Sequence, residues 1–189
     1  MEGNTATNVT TGKPKITGAV FVAPKGTPVP TDATSALSED YINLGFVSDS
    51  GLENSNDMSV SSIKEWGGLV VYNSLDELTD QFKLVLIEAK YKNVLKAAYG
   101  DDNVTESNGT IHVEVNSKDP QERVCVFDLA LRGGIAKRIV IKTGAVTARD
   151  AITYNASDPV GYGLTVSAYP DENGKTHDEY IEVGSTPSA

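Results

Sequence analysis

The stretch that decides the fold is Gly18–Leu52, GAVFVAPKGTPVPTDATSALSEDYINLGFVSDSGL. Its apolar opening belongs to a β-branched and apolar run, Ile16 to Ala23, which stops at Pro24 and predicts a strand. Pro24 to Ala36 holds three prolines and Gly26, which predicts an extended loop. Tyr41 to Val47 reads as a second short strand, and Ser48 to Asp57 as a polar, turn-like segment. Nothing in the stretch is built for chemistry. It has the character of an entry segment in a protein that packs against copies of itself.

Strands continue to dominate outward from this stretch. Met58 to Trp66 alternates only weakly, as a strand or hairpin arm with little core on one side would. Gln81 to Glu88 carries Phe82, Leu84 and Leu86 on one face and Val85 and Ile87 on the other, so both faces are expected to be covered. Lys90 to Tyr99 is the one helix. Tyr91, Val94, Leu95 and Ala98 fall at i, i+3, i+4 and i+7, and Gly100 stands at the stop position. Asp101 to Gly109 is read as a polar loop, with Asn108-Gly109 as a turn. In Glu122 to Arg132, Cys125, Phe127, Leu129 and Leu131 alternate with Asp128, Ala130 and Arg132, and Gly133-Gly134 breaks the run. Further strands are expected at Ala136 to Lys142, Val146 to Tyr154, Val160 to Tyr169 and around Tyr180 to Val183, the last entered through an Asn173-Gly174 turn.

Short strands at this spacing with one helix predict a mostly β protein, an antiparallel β-sandwich or barrel with one flanking α-helix. The body is expected over residues 16–183, with flexible arms at 1–15 and 184–189. A chain of 189 residues fits one such domain. Its 39% hydrophobic and 22% charged residues are those of a globular protein. No apolar run approaches the ~20 residues a membrane helix needs, and MEGNTATNVTTGKPK lacks the apolar core of a secretion signal.

Chemistry is absent from the motifs. The single cysteine, Cys125, sits in a strand pattern as a buried, inert thiol, and it excludes an intrachain disulfide. His112 and His177 have no second ligand at metal spacing and read as surface or strand histidines. Gly100-Asp101-Asp102-Asn103 lacks the ligand spacing of a calcium loop. No nucleophile elbow, phosphate loop or dinucleotide fingerprint occurs, and Gly161-Tyr162-Gly163 marks a bulge or close backbone approach. No catalytic residue, cofactor or metal is assigned. The formal charge of -10 and pI near 4.6 oppose tight binding to nucleic-acid backbones. Cations cluster from Lys83 to Lys142 and acids from Asp150 onward, a division that could pair neighbouring subunits head to tail.

With enzyme motifs absent, the opening stretch resembles the N-terminal region of major tail (tail tube) proteins of long-tailed, non-contractile bacteriophages. The resemblance rests on Ala23-Pro24-Lys25-Gly26-Thr27-Pro28-Val29-Pro30, on Leu44-Gly45-Phe46-Val47-Ser48-Asp49-Ser50-Gly51-Leu52, and on Ile63-Lys64-Glu65-Trp66-Gly67-Gly68. The order of elements that follows extends it over most of the chain. It implies a β-sandwich or barrel with one helix and subunits in hexameric rings. Stacked rings would then form a hollow tube with an acidic lumen that conducts DNA to the host cell. It also implies tape-measure, tail-terminator and distal-tail proteins as partners, transient non-specific passage of DNA, no membrane anchor, and a place in the virion tail after synthesis in the host cytoplasm.

Family members carry a long loop or hairpin that reaches an adjacent ring. The matching stretch is Ser48 to Leu78, which makes Asp49, Glu53, Asn54, Met58 and Trp66 the candidate subunit and ring interface. Trp66 fits its own subunit's core equally well. The alternative function is a non-enzymatic β-sandwich binding module, for virion decoration or host carbohydrate. Such a module would cluster its exposed aromatics, whereas the tyrosines here are scattered.

Overall fold

The computed structural model describes residues 6–15 and 18–182. The expected start of the first strand at Ile16, residues 1–5 of the arm expected at 1–15, and the arm at 184–189 lie outside the described residues. The chain forms β1 (Gly12–Pro14), β2 (Val20–Pro24), β3 (Ile42–Asn43), β4 (Val47–Lys64), β5 (Val70–Leu86), α1 (Lys92–Tyr99), β6 (Val104–Ser107), β7 (Thr110–Val113), β8 (Arg123–Leu131), β9 (Ala136–Arg149), β10 (Tyr162–Ala168) and β11 (Asp178–Ile181). One antiparallel sheet runs in the order β3-β2-β8-β9-β10-β5-β4, with β1 added to β8 and β11 to β9. The path is open, so the fold is a sandwich and not a closed barrel. β6 and β7 form a separate hairpin at Asn108-Gly109, where both residues have positive φ (51° and 74°).

The sheet folds over on itself because β9 changes partners along its length. Lys137–Val140 pairs with β11, and Gly144–Arg149 with β10. Between the two, the register with β8 shifts from Arg123↔Gly144 to Cys125↔Ile141, a bulge that bends the strand. A Cβ at Gly144 would meet Ile141 and Val166 at 3.0 and 3.2 Å, so glycine lets the layers approach at this corner. The expected separate strand from Val146 is therefore the second half of β9, which ends at Arg149.

Between the layers lies the main core. Val20 and Val22 of β2, Cys125 and Phe127 of β8, and Ile139 and Ile141 of β9 face Phe82, Leu84 and Leu86 of β5 and Leu164, Val166 and Ala168 of β10. Phe82 stacks on Phe127 with centroids 5.4 Å apart, although β5 and β8 are not neighbours in the sheet. α1 adds Val94, Ala97 and Ala98 to this core, and Gly100 ends it with φ 96°. Leu95 is buried as well, so Val94, Leu95 and Ala98 of the expected stripe form the packed face, while Tyr91 precedes the helix and is exposed. Burial lifts the Cys125 thiol to about 12, which makes it inert.

The outer face of β2, β8 and β9 is covered by the proline-rich segment. Val29, Leu37 and Tyr41 pack on Ala23, Val124, Val126 and Val140. Asp32 folds this segment by accepting the amides of Thr34 and Ser35. Arg138, 2% exposed, fastens it to the sheet. Its guanidinium makes a two-point contact with Asp128 (2.6 and 2.9 Å) and donates to the carbonyls of Ser35 and Asp32 (2.9 and 3.3 Å). The loop is thus a structural cover, which explains why so polar a segment is ordered.

Candidate functional site

Ser48 to Asp57, read as turn-like, is instead the first half of β4. β4 and β5 pair from Leu52↔Leu84 out to Lys64↔Val70 and close at Glu65–Gly68. Beyond Asn56↔Asp80 the hairpin projects on the order of 25 Å at ~3.3 Å per residue. Ten of the nineteen large hydrophobic residues exposed among the described residues lie between Met58 and Leu78. That concentration marks the hairpin as the exposed apolar element of the molecule.

The register sorts its two faces. Met58 sits opposite Leu78 and Val60 opposite Leu75, on the face that carries Phe82 into the core at the root. Asp57, Ser59 and Ser61 face the other way, opposite Thr79, Glu77 and Ser74. A bulge at Ser59/Val60 leaves Asp76 unpaired in the ladder, and its carboxylate accepts from the Ser61 hydroxyl. Over Met58–Ser61 one face is therefore apolar and the other polar and acidic, and toward the tip the two exchange, with Ser62↔Asn73 on the first face and the exposed pair Ile63↔Tyr72 on the second. From Val47 to Leu78 the acids are Asp49, Glu53, Asp57, Glu65, Asp76 and Glu77, against Lys64 alone.

The tip is built to hold one side chain out. Glu65 accepts from the Leu69 amide at 3.2 Å, and the amides of Gly67 and Leu69 hold its carboxyl below the usual range. Gly68 takes φ 94°, and a side chain at Gly67 would strike the Glu65 carboxylate. Trp66 stands fully exposed on this turn, so it is not part of its own subunit's core.

The remaining candidates fall apart in role. Asp49, Glu53 and Met58 are exposed along β4. Asn54 is a buttress, donating to Asp80 Oδ1 (2.9 Å) and to the Gln81 carbonyl (3.1 Å). Sequence reasoning missed the root clamp that these contacts belong to. Asp80, 2% exposed, also meets His177 Nδ1 at 2.5 Å, and His177 packs edge-on against Phe82. His177 is thus half-buried, and it ties the β10–β11 connection to the hairpin. Burial alone would raise the Asp80 carboxyl, but hydrogen bonds from Thr176, His177 and Asn54 outweigh it and hold it below its ordinary value. A depressed carboxylate contributes stability above its unfolded pKa and loses it as pH falls through the folded value. Asp80→Ala is expected to cost about 1–3 kcal/mol and to flatten the fall in stability below about pH 4. Denaturant midpoints measured across that range check both.

Elsewhere the chain offers little for chemistry. A polar cavity of about 590 Å³ lies between the end of α1, residues 114–123 and the end of β9. Its Arg123 is bonded to Asp101 (3.0 Å) and Gln121 (2.8 Å), and its Arg149 lies over Tyr99. Among the described residues no three His, Cys, Asp or Glu side chains form a metal-ligand group, and no helix is long and apolar enough to cross a membrane. Three pairs join the cation-rich and acid-rich halves inside one chain: Lys83 with Asp150, Lys137 with Glu179 and Lys142 with Asp171. The sheet order explains this, since β5 lies beside β10 and β9 beside β11.

The fold is thus a β-sandwich with one buried ion pair, Arg138–Asp128, and a long hairpin that exposes apolar side chains. The family model for the phage tail tube protein matches residues 4–186, and the chain belongs to that family. It is a structural protein of the virion tail. No curated protein sequence matches the chain.

Proposed function

We propose that the chain is the repeating, non-enzymatic subunit of a tail tube of the long-tailed, non-contractile type, built from stacked hexameric rings through which DNA passes to the host cell. The observation that carries this reading is the hairpin. Its Met58, Val60, Leu75 and Leu78 face has no partner among the described residues, and β4 ends the sheet with an open edge of 18 residues. An edge this long is a template for pairing, and a free monomer would aggregate through it unless another subunit covered it. Asp49, Glu53, Met58 and Trp66 belong to that subunit and ring contact, while Asn54 shapes the root. The acid excess of the hairpin and the net charge of -10 give phosphates no counterion-release gain, so DNA would pass without adsorbing. Tape-measure, tail-terminator and distal-tail proteins would meet the tube inside and at its ends. Negative-stain microscopy of the purified chain is expected to show rings or tubes. A uniformly monomeric species over all concentrations and salt conditions would overturn the reading.

A further inference from the structure

The hairpin tip and a groove elsewhere on the molecule have complementary chemistry. Pro14, Ala19 and Val47 are shared by two adjoining cavities of about 360 and 270 Å³. Leu52, Phe127 and Leu129 floor the second, so the groove is apolar and opens beside β1 and the start of β4. Lys13 and Lys15 flank it. The one acid at its rim, Glu88, is turned to accept the Phe46 amide at 3.0 Å.

We infer that Trp66 of one copy seats in this groove of another copy. The inference rests on the self-assembly proposed above and names the acceptor of that contact. A cavity of a few hundred Å³ takes an aromatic anchor, and Trp66 is fully exposed on a turn that its own hydrogen bonds hold in shape. Charge fits as well, because an acid-rich hairpin with Glu65 beside the indole approaches a groove flanked by two lysines. In the stacked assembly proposed above the contact runs one way, from the tip of one copy to the groove of the next, and so repeats from copy to copy.

Trp66 is the only tryptophan, which makes the test direct. On assembly its emission is expected to shift to the blue and its quenching by acrylamide to fall. Trp66→Ala is expected to raise the concentration needed for assembly by at least about tenfold. Differently tagged Trp66→Cys and Pro14→Cys chains, diluted into an excess of wild-type chains so that tubes still form, should give disulfide-linked heterodimers on mild oxidation, and a Ser157→Cys control should not. Cys125 is buried and does not compete. Tubes in which Trp66 stays as quenchable as in the free chain, or in which Trp66→Cys links only to itself, overturn the inference and leave the tube reading standing. Failure of the wild-type chain to assemble at all overturns the tube reading, and this contact with it.

Discussion

Arg138→Ala is expected to destabilise the protein by about 3–5 kcal/mol, because it leaves a charge buried without its partner. Asp128 is 5% exposed, and its one remaining ion-pair partner among the described residues would be Lys15, whose amine is 3.9 Å away. The carbonyls of Ser35 and Asp32 would lose their shared donor as well. The effect should be local as well as global. With its anchor gone, the segment from Lys25 to Tyr41 would release the apolar patch of Ala23, Val124, Val126 and Val140, and proteases should cut it first. Denaturant midpoints and limited proteolysis measure the two parts. A loss below about 1 kcal/mol, with the segment still protected, would show that apolar packing alone holds the cover.

A double replacement separates charge from shape. Arg138→Met with Asp128→Leu removes both ions and keeps apolar bulk, and it should cost less than either single replacement. The stranded Ser35 and Asp32 carbonyls set the residual cost. If the double variant is as damaged as the sum of the singles, the two side chains act independently and the buried pair has no special weight.

What was legible in the sequence follows from where burial leaves a pattern. The helix stripe and the Asn108-Gly109 turn were readable because the one has a face on the core and the other a φ that few residues accept. The strand character of Ser48 to Asp57 was not, since the register with β5 breaks between Val47 and Leu52 and, of its side chains, only Leu52 packs on the main core. The sign was present only as Met58 and Val60 spaced by Ser59, with Leu75 and Leu78 matching them across a bulge that no sequence period reveals. β9 was cut in two for a related reason. The expected strands Ala136 to Lys142 and Val146 to Tyr154 leave Gly144 between them, and only its packing against Ile141 and Val166 shows it to be a corner within one strand. Asp80 and His177 are 97 residues apart, and nothing local announces that they meet.

Removing the distal hairpin should abolish assembly and leave the fold intact. The variant joins Asn56 to Asp80, which face each other in the ladder, through an Asn-Gly turn, and deletes residues 57–79. Every side chain of the main core lies outside the deletion, and so do Asn54, Asp80 and His177 of the root clamp. The deleted residues bury almost nothing in the single chain, so the denaturant midpoint should move by less than about 1 kcal/mol equivalent. Assembly should behave in the opposite way. The deletion removes Met58, Val60, Leu75, Leu78 and Trp66 together with the distal part of the open edge of β4, from Asp57 to Lys64, which are the surfaces that make a free subunit incomplete. A folded, strictly monomeric variant that mixes with wild-type chains without entering their tubes is the expected result. Tubes of normal appearance from the shortened chain would mean that subunits recognise one another elsewhere, and the hairpin would then need another occupant for its apolar face.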